Sequence, residues 1–278
     1  MAHTGRILPR NTVGFLALTA MVLALTPPRE ARAGQLTQCT ALDICYCVNT
    51  DYRDAISENV ARVRQLIASA KAQGKAVGYL SVPLSPAGGG SFAVNAEAAA
   101  KTADNVAARL GARSVYLLNP GAEGGTSMNG ASGADFMYMW TQILEGRGGL
   151  GEDFDFFYFA GPADFANYFG LTGQGDLDRL EDWFDRRVAQ DPAFRKAVDD
   201  GRVTKPGFRN YYGLRASVAF SYGSHDEWNI ARLINDRRRG ATDFGIASQL
   251  AVWFDGRPVT PGGYENSAAS GDVGRCIK

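Results

Sequence analysis

Four apolar runs constrain this chain more than anything else in it: "KAVGYLSVPLS", "SVYLLNPG", "DFDFFYFAG" and "RASVAFSYG". None alternates strictly between apolar and polar residues. A strand with one wet face has to alternate, so these runs fit strands buried on both sides, as in a parallel sheet covered by helices. The segments between them have helical period. From about Tyr52 to Gln73, residues Ile56, Val60, Val63, Leu66, Ile67 and Ala70 fall on one helix face, and Gly74 stops the run. A second helix is predicted from about Phe92 to Leu110, ending at Gly111. A third, "ADFMYMWTQILEG", carries Met137, Trp140, Ile143 and Leu144 on one side. Helical spacing returns at Leu177, Leu180, Trp183, Phe184 and Val188, at Asp191-Pro192, where proline suits a first helical position, and in "SHDEWNIARLINDRRRG". "PGFRNYYG" reads as an aromatic loop, and Asp255-Gly256 in "SQLAVWFDGRPVTPGG" as a hairpin turn. Strands alternating with helices predict an α/β fold with a mainly parallel sheet and helices on both faces, Rossmann-like or flavodoxin-like.

The two ends carry a different signal. Arg6 and Arg10 precede an apolar stretch from Val13 to Leu25, and Ala31-Arg32-Ala33 has a small-x-small form. That is the layout of a secretory signal peptide over residues 1–33, and the stretch is short for a membrane span. The remainder, 34–278, suits one α/β domain. Cys39, Cys45, Cys47 and Cys276 all lie in it. An even count in an exported chain predicts two disulfides, with at least one tying the N-terminal segment to the C-terminus if all four pair. Cys-x-Cys without a nearby histidine is a poor zinc pattern, so no metal and no cofactor are expected. The 29 basic and 29 acidic residues balance, which removes any electrostatic case for nucleic acid or an anionic membrane. The expected partner is a small molecule, and the expected location is secreted or periplasmic.

In parallel α/β sheets, ligands bind beyond the carboxyl ends of the strands. The segments there are "PLSPAGGG", "NPGAEGG", "AGPADFANYF" and "YGSHDEW". They hold Ser85, Asn119, Asp164 and the cluster Ser224, His225, Asp226, Glu227 and Trp228. The glycines match neither the dinucleotide fingerprint nor a phosphate-binding loop. Two readings of the last cluster stand together. Ser224 and Glu227 have the S-x-x-E spacing of a capping box, with Asp226 favouring the positive helix end. Equally, a histidine beside carboxylates can be tuned for acid–base work near neutral pH. Asp135 stands three residues after Ser132, again at cap spacing, with Met137 and Trp140 beyond. Phe208, Tyr211 and Tyr212 could stack on a planar base.

The order "GKAVGYLSVPLSP", "SVYLLNP", "GADFMYMW", "DFDFFYFAG", over Lys75 to Leu171, resembles the nucleoside deoxyribosyltransferases and their TIR-type NAD-cleaving relatives. The resemblance implies a flavodoxin-like sheet and cleavage of an N-glycosidic bond by a carboxylate. Here Asp164 follows the third apolar run and Glu227 the fourth. The expectation is therefore an exported enzyme acting on a small glycosidic or nucleoside-like compound. Glu227, His225, Asp164 and Asp226 would be its catalytic groups. Ser85, Asn119, Asp135, Tyr212, Ser224 and Trp228 would contact the substrate. A non-catalytic binding protein of the same fold and a hydrolase with His225 as base are the alternatives.

Overall fold

The computed structural model describes residues 34–84, 88–122, 128–215, 221–241, 249–262 and 274–276. The expected signal segment, Ser85, and most of the "RASVAFSYG" run lie outside them. The chain opens with an antiparallel hairpin that the apolar pattern did not reveal, β1 (Gln35–Cys39) and β2 (Cys45–Asn49). Then come α1 (Arg53–Ala72), β3 (Ala76–Ser81), α2 (Phe92–Leu110), β4 (Val115–Leu118), α3 (Gly133–Glu145) and β5 (Phe156–Phe159). Four short or medium helices follow: α4 (Pro162–Phe169), α5 (Asp176–Gln190), α6 (Pro192–Asp199) and α7 (Lys205–Asn210). The chain ends in α8 (Tyr222–Gly240) and the strands β6 (Ala251–Phe254) and β7 (Arg257–Val259).

The main sheet has the order β4-β3-β5-β6-β7, with the first four strands parallel and β7 antiparallel. Counted from β3, that is the 2-1-3-4-5 order of flavodoxin-like sheets. The chain leaves β3 in one direction to make β4, then jumps back across β3 to make β5. The crevice between the ends of β3 and β5 is therefore the topological switch point. Helices α1, α3 and α8 cover one face, and α2 and α4 the other.

The local signals formed as the side chains dictate. Ser132 and Asp135 cap α3 reciprocally, and Asp191 caps α6 with Pro192 in the first turn. Asp255 and Gly256 both take positive φ, the two-residue turn that matches the twist of a hairpin. Gly78 is fixed by packing: a Cβ there would lie 2.2 Å from the Phe156 ring.

One expectation is corrected. "PGFRNYYG" is not a loop. It forms α7 and a π-helical turn, Tyr211–Arg215, and Phe208, Tyr211 and Tyr212 are core residues. Their rings pack on Trp183, Phe184 and Phe169, so burial holds them helical and leaves none to stack on a ligand. Among the described residues the fourth parallel strand is β6, the first arm of the predicted hairpin, and residues 216–220 of the expected fourth strand lie outside them. In the fourth apolar run, Arg215 belongs to the π-helical turn, and Tyr222 and Gly223 to α8.

Both disulfides form. Cys39 joins Cys45 across the hairpin, and Cys47 joins Cys276, which ties the N-terminal segment to the C-terminal one. Among the described residues no helix is long and apolar enough to cross a membrane.

Candidate functional site

Along β3, alternate side chains take opposite faces. Tyr79 and Ser81 point toward α1, α3 and α8, and both are fully buried. Phe157 and Phe159 occupy the same face of β5, against Tyr79 and Trp228 respectively. Into this layer α8 inserts Glu227. Tyr79 Oη donates to Glu227 Oε1 at 2.5 Å, and Ser81 Oγ donates to Oε2 at 2.5 Å. Ser81 is the last residue of β3, so the carboxylate sits at the carboxyl end of that strand, beside the switch point.

Burial pushes the Glu227 carboxyl up to about 7, against the two hydroxyls that favour its ionised form; Asp226 raises it further. Tyr79 is driven far above the ordinary phenol range, first by burial and then by the Glu227 charge. Next to this pair, Tyr46 of β2 donates to Thr141 Oγ1 at 2.6 Å, and the Thr141 hydroxyl donates in turn to the Met137 carbonyl at 2.7 Å. Burial raises the Tyr46 phenol, and the charges of Asp226, Glu145 and Glu227 add to that. Ser224 is also buried one turn before Glu227 on α8, and its Oγ has no hydrogen-bond partner among the described residues.

The capping-box reading of Ser224 and Glu227 is corrected. The cap of α8 is Ser221, whose hydroxyl accepts from the Ser224 amide. Helix α8 thus begins one residue after Ser221, which puts Ser224 and Glu227 inside its first two turns. There Glu227 turns inward to β3 instead of back to the helix end.

The other predicted groups are distributed as follows. Asp226 is buried on α8 beside Glu227. His225 is half-buried, with its ring edge toward the exposed Tyr222. Two positions apart on a helix are about 200° apart around the axis, so His225 and Glu227 do not face each other. Asp164 does not join them either. Its carboxylate accepts from Tyr158 Oη at 3.0 and 3.1 Å and from the Gly161 amide at 3.0 Å. Tyr158 lies between Phe157 and Phe159, so its side chain takes the opposite face of β5, the face of α2 and α4. Burial raises the Asp164 carboxyl, with Asp255 adding to the effect. The predicted convergence of Glu227, His225 and Asp164 is thus corrected: strand alternation separates the carboxylates, and helical pitch turns the imidazole away.

Asn119 folds its side chain back onto the Gly121 amide of its own turn. Asp135 caps α3 and also accepts from the Asn49 amide of β2 at 2.8 Å, a structural role. Tyr212 is corrected from a substrate contact to an internal brace. Its Oη donates to Asn95 at 2.7 Å and accepts from the Ser91 amide. Trp228 sets its ring edge on Phe159 and Phe254, and its indole N–H donates to the Gly262 carbonyl. In the glycine-rich segment, a Cβ on Gly89 would meet the Gly207 carbonyl at 2.6 Å, and one on Gly90 would meet the Tyr211 ring at 2.8 Å. Those glycines serve close backbone packing on α7, not an open anion cradle.

Sequence reading missed Tyr79, Ser81 and Tyr46. The first two sit in an apolar run where a tyrosine and a serine on alternate positions, two residues apart, are the one available signal. Comparison with protein-family models, curated proteins and solved structures gives no match for this chain.

Proposed function

We propose that this protein is an exported enzyme that cleaves or transfers a glycosyl bond in a small nucleoside-like compound, with Glu227 as its working carboxylate. One observation carries the reading: a buried carboxylate, held by Tyr79 and Ser81 hydroxyls, stands at the carboxyl end of β3 beside the switch point. Strongly perturbed carboxyls in such places are candidates for chemistry. The two oxygens of Glu227 are oriented by O–H donors, which fixes the group against rotation. Ionised, it can stabilise or trap the positive anomeric carbon that forms as the C–N or C–O bond breaks. The leaving group takes a proton, and a hydroxyl from water or an acceptor alcohol completes the transfer. Asp226 is the neighbouring carboxyl on the same buried side. Export, to the periplasm or outside the cell, is supported by the leader-like N-terminus and the disulfides.

The burial of Glu227 favours a second reading, a non-catalytic binding protein in which the clamped carboxylate is part of the framework. Incubating the oxidised protein with nucleosides, NAD and aryl glycosides, and following released base or aglycone, separates the two. The enzymatic reading expects release that rises with pH through about 7 and disappears in Glu227→Gln. A ligand-induced thermal shift with no release from any of these compounds overturns it in favour of binding.

A further inference from the structure

The β1–β2 hairpin stands apart from the main sheet, and what holds it is concentrated around one side chain. Tyr46 lies between two cysteines of different disulfides: Cys45 is bonded to Cys39, and Cys47 to Cys276. Strand alternation turns Tyr46 away from both of its neighbours and into the interior, where it is 1% exposed. There it meets Thr141, one helical turn after Met137, and the Met137 sulfur lies against Gly223 in the first turn of α8. Glu145 of α3 grips the hairpin turn through the Ala41 and Leu42 amides at 2.9 Å each. Asp135 holds its far end through Asn49, and Thr37 Oγ1 accepts from the Cys276 amide. A continuous path runs from the disulfides through Tyr46 and α3 to the helix that carries Glu227.

We propose that Tyr46 is a positioning residue for Glu227 and that closure of the two disulfides seats it, so that the site is complete only in the oxidised protein. This rests on the reading of Glu227 as the working carboxylate, but the seating itself is measurable without turnover. Closing each bridge takes two electrons and two protons from a pair of thiols and passes them to a disulfide-bearing oxidant. A dithiol reductant reverses the step. With either bridge open, one neighbour of Tyr46 loses its anchor. Thr141 then loses its donor, and water gains a route toward α3 and the Glu227 carboxylate. Among the described residues, the titratable groups around this interior are Tyr79 on β3, Tyr46 on β2, Tyr138 and Glu145 on α3, and Asp226 beside Glu227 on α8, the Tyr138 ring lying 6.0 Å from that of Tyr46. Reduction alters the covalent structure of none of them. A change in Glu227 therefore reports the seat of Tyr46.

The test uses the full oxidised chain labelled with carboxyl-¹³C glutamate, the Glu227 signal being assigned with Glu227→Gln. Its titration is compared before and after a dithiol reductant, with far-UV circular dichroism confirming that the fold persists. The expected result is a downward shift of the Glu227 midpoint by about one pH unit or more on reduction. Tyr46→Ala in the oxidised protein should reproduce it, whereas Tyr46→Phe, which keeps the ring, should show less than half of it. An unchanged midpoint in the reduced, folded protein overturns the proposal. Should reduction unfold the chain, oxidised Tyr46→Ala and Thr141→Val decide alone: no shift in either overturns it. The shift without glycosyl release keeps the seating and removes the enzymatic reading. An unchanged midpoint together with release that survives reduction removes the seating and keeps the enzyme.

Discussion

Replacing Glu227 by Gln should make the protein more stable, and increasingly so as pH rises. The side chain is buried, its carboxyl is raised from 4.5 to about 7, and the leading cause is loss of hydration. Between those values the native protein keeps a proton on Glu227 that the unfolded chain has released. Where the native state binds more protons, stability falls as pH increases. A shift of about 2.5 pH units corresponds to about 3 kcal/mol. That stability is fully present below about pH 4.5 and is lost as pH rises through about 7. Glutamine is nearly isosteric with the protonated acid: its carbonyl can accept from Tyr79 and its amide can donate to Ser81. It has nothing to ionise. Denaturant unfolding of both oxidised proteins should give similar stabilities near about pH 4, and a glutamine variant about 3 kcal/mol more stable near about pH 9. Groups common to both proteins cancel in the difference. Parallel stability curves would refute the reasoning. So would a wild type that gains on the variant with rising pH, because the two O–H donors would then outweigh desolvation and hold the native carboxyl below its ordinary value.

Three other outcomes follow from particular contacts. Ser81→Ala removes one donor to the carboxylate, so it should lower stability by about 1.5–3 kcal/mol at high pH, where Glu227 is charged, and less at low pH; denaturant curves at the two extremes check this. Opening Cys47–Cys276, which spans 229 residues, should destabilise by about 5 kcal/mol on a chain-entropy basis, against about 2 kcal/mol for Cys39–Cys45, which spans 6; paired Cys→Ser variants and thermal unfolding decide the order. Gly78→Ala drives a methyl into the Phe156 ring and should cost about 1–3 kcal/mol, read from the denaturation midpoint.

The parts of the site that sequence pattern located are those fixed by neighbours along the chain. Ser132 and Asp135 are three residues apart, and the cap they form needs nothing from elsewhere. The same logic misled at Ser224 and Glu227. Their spacing satisfies the cap template, but Ser221 took the cap and shifted the helix start. Glu227 was then free to turn toward β3, to partners 148 and 146 residues away. Phe208, Tyr211 and Tyr212 read as a loop because proline and glycine precede them. Their rings found a core of Trp183, Phe184 and Phe169, and its burial outweighed the local signal.

By itself the chain determined the strands β3, β4 and β5, the helices α1, α2, α3, α5, α6 and α8, the hairpin turn at Asp255-Gly256, and the pairing of its four cysteines into two bridges, one of which joins the ends. Those features rest on side chains within a few positions of one another, or on an even cysteine count. The order of strands, the placing of Asp164 and Glu227 on opposite faces, and the choice of Tyr79 and Ser81 as partners came only with tertiary structure. A one-residue step along β5 reverses the face, as between Phe157 and Tyr158, and nothing local says which side will carry α8. The charge state of Glu227 follows from that choice, because burial under α8 sets its proton affinity.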